Sequence, residues 1–481
     1  MSPFILYGFW LLLLFVAWTV RNLGRRPQEY PPGPPTLPLI GNLHLMPKKN
    51  GHLQFQKWAQ EYGPVYSLVL GTKVFVVLSS DQAIKDLLDK RSAIYSSRPE
   101  VYMGQEILSG GLRVLFMGYN DTWRMIRKLA HSILNVTVAR SQIFECFSEM
   151  TGSSTAALLD VFPVLRRLPD ILLPIRQYGR QIHERERELF MHHYTTVKQK
   201  IKDRTAHPCA SRDLVNLQAQ QGFSDELAAY MAGSLLQAGS ETTAAILVGF
   251  VQAIVIFPEI ASTAQVELDR VCGDRIPDLN DLSRLPYIRG CIKESLRWMP
   301  TDVLGVPHSV IRDDEYMGYR IPKGATVIFN VWAVQNDPLR HPNPRVFDPT
   351  RWINDDQNSA ESATNPDATR RDHFVFGAGR RICQGMHIAD RSLFLGISRL
   401  LWAFDFRRAV DQTTKKEIVP DMDNVSQGLF ICPNPFPANI VPRSAQKASQ
   451  VRDEWAKISK LLDQNGQWAE VPEALIWKDY E

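Results

Sequence analysis

Phe376-Gly-Ala-Gly-Arg-Arg-Ile-Cys383-Gln-Gly385 is the stretch on which the reading of this 481-residue chain turns. It sets one cysteine among glycines and arginines, directly before an apolar run, Met386 to Phe404, with the character of a buried helix. A thiolate at a helix N-terminus is stabilised by the positive end of the dipole and by backbone N–H groups. Glycines let those amides come close to the sulfur, and Arg381 can pair with an anion. Such surroundings suit a thiolate that ligates a metal. The alternative is a buried structural cysteine after a glycine-rich turn, since free cysteine is among the most buried residue types.

Three more clusters lie N-terminal to it. Glu294-Ser-Leu-Arg297 puts an acid and a base on one helix face, where pairs of this kind meet and, when solvated, contribute little. Ala238-Gly-Ser-Glu241-Thr242-Thr243 lies inside a run from Ser224 to Phe257, with a helix start at Ser224-Asp-Glu-Leu and a stop at Pro258. A mid-helix glycine costs about 1 kcal/mol relative to alanine, and a threonine hydroxyl can bond back to the carbonyl one turn earlier. Trp123-Arg-Met-Ile-Arg127 places an indole N–H and a guanidinium four residues apart on one face. Between these, Leu68 to Ser79 alternates as a strand does, punctuated by Pro64 and Gly71.

The pattern Phe376-x-x-Gly379-x-Arg381-x-Cys383-x-Gly385 resembles, at every defining position, the haem-binding signature of the cytochrome P-450 family. The resemblance implies a mainly α fold with small β-sheets, and haem b held by Cys383 as axial ligand, with Phe376, Gly379 and Gly385 shaping the loop. It implies that Trp123, Arg127, Arg381 and, in Gly-Val-Pro-His308, a histidine meet the haem propionates. Glu241 and Thr242 match an acid–alcohol pair that delivers protons to iron-bound dioxygen. Glu294 and Arg297, with Arg351 from Phe347-Asp-Pro-Thr-Arg351-Trp352, match a buried ion network that supports the cysteine loop. The implied activity is that of a monooxygenase inserting one oxygen atom from O2 into a small apolar substrate. Electrons would come from NADPH through NADPH-cytochrome P-450 reductase, with cytochrome b5 as a second candidate partner. Whole stretches resemble filamentous-fungal enzymes of secondary metabolism. Rival readings are a haem-thiolate isomerase or dehydratase working without O2, against which the acid–alcohol pair speaks, and a truncated inactive product.

Composition agrees with one large helical domain. The chain is 44% hydrophobic with a formal charge of +4, too small and scattered for nucleic acid. Its six cysteines (146, 209, 272, 291, 383, 432) form no CxxC pair, which argues against zinc ribbons and disulfide frameworks. Phe4 to Val20 carries no charge, about the minimum for a membrane-spanning helix. Arg21, Arg25 and Arg26 follow and would keep the downstream chain cytoplasmic. Residues 1–26 therefore read as an anchor with a basic flank, in an endoplasmic reticulum membrane with a single N-terminal span. Residues 27–38, with Pro31-Pro-Gly-Pro-Pro35, read as a stiff proline-rich hinge. The catalytic domain is expected over 39–444. The tail is expected over 445–481, with Trp455, Ile458, Leu461 and Leu462 at helical spacing against the domain.

One departure from the family pattern stands out. Between Trp123 and Gly239 there are 116 residues, several helices short of what the resemblance implies. The join is expected near Met150-Thr151, and the missing helices belong to the bundle packed on the Ser224–Phe257 helix. Their loss should expose apolar surface there.

Overall fold

Helices of eight residues or more form the body of the molecule. The structure, a computed structural model, describes residues 21–133, 154–464, 466 and 468–472, together with positions 4, 7, 8, 10, 11, 14 and 18. The expected join near Met150-Thr151 lies outside the described residues. The long helices are α1 (Gly51–Tyr62), α2 (Asp121–Ile133), α3 (Ser154–Val161), α4 (Pro174–Lys202), α5 (Ala210–Gln221), α6 (Asp225–Ile256), α7 (Pro258–Val271), α8 (Pro286–Trp298), α9 (Met386–Ala403) and α10 (Ala445–Ser459).

The central helix obeys its punctuation. The Ser224 hydroxyl accepts a hydrogen bond from the Leu227 amide at 3.1 Å and so caps α6. Pro258, lacking an N–H, opens α7. Between them α6 runs unbroken through Gly239, although its glycine and hydroxyls invite a kink. Its C-terminal half buries Phe250, Ile254 and Val255 against Leu268, Leu296, Phe394 and Leu401 from α7, α8 and α9. Each such side chain contributes roughly 1.5–3 kcal/mol relative to exposure. Its N-terminal half meets α4, where a Cβ on Gly233 would strike the Phe190 ring at 2.6 Å.

The expected strand over Leu68–Ser79 is instead a hairpin that starts three residues earlier. β1 (Val65–Leu70) pairs antiparallel with β2 (Lys73–Leu78), from Val65↔Leu78 to Leu70↔Lys73, with Gly71 in the turn. β6 (Thr326–Phe329) lies parallel to β2, and β3 (His308–Ser309) antiparallel to β6, giving the order β1-β2-β6-β3. Sequence-distant His308 thereby reaches the edge of a sheet begun by residue 65. The other sheets are β4 (Asp314–Tyr316) with β5 (Tyr319–Ile321), and β8 (Glu417–Ile418), β7 (Phe404–Val410) and β9 (Ala438–Pro442) in the order β8-β7-β9.

At the N-terminus, Phe4, Tyr7, Trp10, Leu11, Leu14 and Trp18 are helical and exposed. The proline stretch is strapped onto β1: Ser67 donates from its amide to Pro32 O (2.7 Å) and from its hydroxyl to Pro31 O (2.6 Å). Asn42 Nδ2 donates to Pro34 O and Pro35 O. In the tail, α10 forms, but Trp455 and Ile458 face solvent at 62% and 40% exposure. Its contact with the domain is polar instead, through buried Lys447, whose Nζ lies 3.3 Å from Asp269. On α6, Ala244 and Val248 are exposed one turn apart, in keeping with the expected loss of a covering helix.

Among the described residues one helix, α6, is long and apolar enough to cross a membrane. Those are properties of length and composition only, and its Phe250–Val255 side is buried in the core.

Candidate active site

The cysteine loop is shaped by backbone. Cys383 N–H donates to Phe376 O at 2.8 Å, closing the turn that bears the thiol. Gly379 adopts φ +61°, and a Cβ there would lie 1.9 Å from Leu88 O, so no other residue fits. Its amide donates to Asp89 Oδ1 at 2.7 Å, tying the loop to residues 85–90. Gly385 caps α9, three residues before which the sulfur sits at the positive end of the dipole. Burial pushes the Cys383 thiol up, while the Gly385 amide and the Arg127 guanidinium pull it down. The sulfur is deep in the fold yet faces an open cavity of about 540 Å3, lined among others by Trp123, Arg127, Ile382, Met386 and His387.

Around this loop the arginines converge. Arg381 donates to Ser96 O (2.8 Å) and Met117 O (2.7 Å), and its guanidinium stacks 3.7 Å from the Trp123 ring centroid. Arg127 Nη2 donates to Ile382 O at 2.7 Å, while Gln384 Nε2 returns a bond to Arg127 O at 2.6 Å. Arg98, which the motif search missed, donates to Val306 O, Pro307 O and Leu115 O. Burial lowers the pKa of all three, and mutual repulsion adds to this for Arg98 and Arg381. Asp302 is the carboxylate that opposes it, at Arg98. His308 Nδ1 lies 2.6 Å from Tyr95 O, and burial followed by the Arg98 charge holds the ring neutral. Trp123, Arg127, His308 and Arg381 are thus brought together as expected.

A buried cationic cradle beside a thiol at a helix N-terminus fits haem. Two propionates would neutralise the guanidiniums by charge-assisted hydrogen bonds, and the thiolate would meet the iron.

The acid–base pair of α8 is buried rather than solvated. Arg297 forms a two-pronged pair with Glu294, Nε to Oε2 at 2.8 Å and Nη2 to Oε1 at 2.7 Å, both side chains fully buried. Arg351 Nε approaches Glu294 Oε1 at 3.4 Å, and the Trp352 indole N–H donates to Oε2 at 3.0 Å. The link to the cysteine loop runs through Gln335, another residue without a local signal. Its carbonyl accepts from Arg297 Nη1 (3.1 Å) and its Oε1 accepts from the Phe374 amide (2.9 Å). Two residues on, Phe376 is buried against His373, ring centroids 4.9 Å apart.

On α6, the Thr242 hydroxyl donates to Ala238 O at 2.8 Å, the back-bond expected of it. Ala238 and Gly239 are exposed, and Glu241 and Thr242 half-buried. Leu247, one turn further on, lies where a Cβ on Gly396 of α9 would be 2.8 Å away, so α6 rests on the cysteine-loop helix.

The comparisons with known proteins agree with this geometry. A family model described as Cytochrome P450 matches residues 31–152 and 134–428. The cytochrome P450 monooxygenase virE of Hypocrea virens (strain Gv29-8 / FGSC 10586) is 57% identical, over 100% of this chain and 97% of its own length. The cytochrome P450 monooxygenase fogE of Aspergillus ruber (strain CBS 135680) is 52% identical, over 98% and 97%. The cytochrome P450 monooxygenase fsoB of Humicola fuscoatra is 44% identical, over 98% and 99%. The alignment with the first spans 536 positions, 55 more than the 481 residues of this chain.

Proposed function

The chain belongs to the cytochrome P450 family, and from that premise we propose that it is a membrane-anchored monooxygenase of fungal secondary metabolism acting on a small apolar substrate. As a family member it is an oxygen-incorporating oxidoreductase with haem b as cofactor and electrons from an NADPH-dependent redox partner. NADPH-cytochrome P-450 reductase, with cytochrome b5 as an auxiliary donor, is the proposed partner. The observation that carries the reading is the Cys383 thiol at the foot of α9, beside three buried guanidiniums awaiting anions.

When bound, haem supplies the activation of O2 and the transfer of one oxygen atom to a C–H bond. The protein's part is holding and proton handling. Cys383 supplies the axial thiolate, kept ionised by the Gly385 amide and Arg127. Trp123, Arg127, His308 and Arg381, joined by Arg98, orient the propionate side. Thr242 Oγ1, resting on Ala238 O, can turn to donate a proton toward the cleft, and Glu241 one residue earlier can replenish it. General acid catalysis of this kind is worth about 10²–10⁴-fold. Glu294, Arg297 and Arg351 act through the loop and touch no reacting atom.

Reduced protein exposed to carbon monoxide should give the Soret band of a thiolate-ligated haem. Cys383→Ser should abolish that band in soluble, folded protein. Its absence from the unaltered chain would sink the proposal. Thr242→Val should keep the band yet lose product formed per NADPH by roughly the factor quoted for a lost proton donor.

The proposed location is the endoplasmic reticulum membrane, spanned once by Phe4 to Val20, with the catalytic domain cytoplasmic. The exposed helical Phe4, Tyr7 and Trp10 support it, and exposed Val164, Ile171 and Leu172 offer a second apolar contact. A flotation assay with vesicles, with and without residues 1–26, tests it.

A second reading rests on one observation, the 55 alignment positions of virE without a counterpart here. The two matched stretches of the family model meet at 134–152, where those positions belong. On this reading the chain is a shortened product that retains haem poorly. Haem content per polypeptide, compared with a version carrying the virE segment between residues 133 and 154, decides between the two.

A further inference from the structure

Away from the haem cradle, the deepest charged cluster that the mechanism leaves unused joins three elements. Arg113 lies in the segment 102–116, which connects the sheet region to α2. Its Nη1 donates to Gln237 Oε1 of α6 at 2.8 Å and its Nη2 to Glu186 Oε1 of α4 at 2.5 Å. Gln237 Nε2 closes the triangle, donating to the same Glu186 oxygen at 3.2 Å. The three side chains are 5%, 8% and 0% exposed for Arg113, Gln237 and Glu186. One turn before Glu186, His183 Nδ1 lies 3.1 Å from Leu108 O and 3.0 Å from the Tyr230 hydroxyl.

Burying a charge pair is costly, and apolar residues of the same volume commonly stabilise a fold more. The placement of this pair suggests what it is for. Gly110 and Gly111 precede Arg113 and both adopt positive φ, +54° and +80°, so the segment can pivot there easily. Its apolar residues Met103, Leu108 and Phe116 pack against Leu173 and Ile182 at the N-terminal end of α4. Gln237 is the residue immediately before Ala238 and Gly239, the exposed pair of α6. The pivoting segment is thus held to the roof of the cleft by side-chain bonds at Arg113 and Leu108.

We propose that Arg113 is the latch of a substrate-access loop, residues 104–113, and that its bonds to Glu186 and Gln237 hold the loop closed over the cleft beside Ala238 and Gly239. Arg113 and Glu186 are positioning residues: they fix how wide the entrance opens and touch no reacting atom. The proposal rests on the monooxygenase reading, in that the cleft it closes is the substrate site.

The test is hydrogen–deuterium exchange on the haem-loaded protein, with Arg113→Met and the paired variant Arg113→Met/Glu186→Leu. The single change strands a buried carboxylate; the pair removes both charges and keeps the volume apolar, so it guards against simple unfolding. Amides of 104–113 should exchange at least tenfold faster in the paired variant, with α6, α8 and α9 unchanged. The association rate of phenylimidazole, a heterocycle that ligates haem iron, should rise with it. No rise in exchange at 104–113, or a rise shared equally by α6 and α8, would overturn the latch. The exchange readout needs no turnover, so this failure is distinct from loss of the thiolate-ligated spectrum.

Discussion

Single residues decide whether the cysteine loop can exist. Gly379 combines left-handed backbone with a carbonyl where its Cβ would be. Gly379→Ala carries a backbone cost of roughly 1–2 kcal/mol in addition to that clash, and haem content per polypeptide should fall several-fold. Unchanged haem content would show that the loop tolerates another shape. Asp302 offers a pH test. Burial raises its pKa to about 7, against the pull of Arg98 and nearby amides. The folded state then keeps a proton that the unfolded chain releases at ordinary carboxylate pH. The stability from this group is fully present below about pH 4 and is lost as pH rises through 7. Asp302→Asn should therefore gain unfolding temperature relative to the unaltered protein as pH goes from 5 to 8. A constant difference across that range would refute it. Gly379 was legible in the sequence because its neighbours form a contiguous pattern. Asp302 and Arg98 were not, since their meaning comes from residues some 200 positions apart.

Elements carry the support of that loop. The Glu294–Arg297 pair sits on one face of α8 as its spacing required, but full burial turns a weak pair into a costly one to break. Arg297→Met should destabilise by about 3–5 kcal/mol, because Glu294 would be left charged and buried. Arg351→Met should cost less, its contact being 3.4 Å and partly solvated. Denaturant unfolding of the two variants checks the order. Periodicity and capping found α6 almost to the residue, Ser224 and Pro258 being local chemical signals. The same spacing argument failed for α10, where Trp455 and Ile458 lie at helical intervals but face solvent. Period alone states that a face exists, not that another surface covers it. Gln335, which passes the ion network on to Phe374, sits in a five-residue helix, Val331–Gln335, with no pattern to mark it.

At the scale of the whole molecule, the stretch between α2 and α3 governs stability. Restoring the 55 positions by which the virE alignment exceeds this chain should raise the unfolding temperature by several degrees and lower the binding of a hydrophobic dye. Unchanged dye binding would mean that Ala244 and Val248 are covered in some other way. The class of the protein, its thiolate ligand, its long central helix and the buried role of Glu294 and Arg297 were determined by sequence alone. Each depends on residues within about ten positions of one another, or on a short pattern that only one chemistry uses. Tertiary structure alone decided the cradle of Arg98, Arg127 and Arg381, the strap of prolines on β1, and the latch of Arg113 on Glu186 and Gln237. Those depend on the burial of charges brought together from distant segments, and burial is a property of the packed chain.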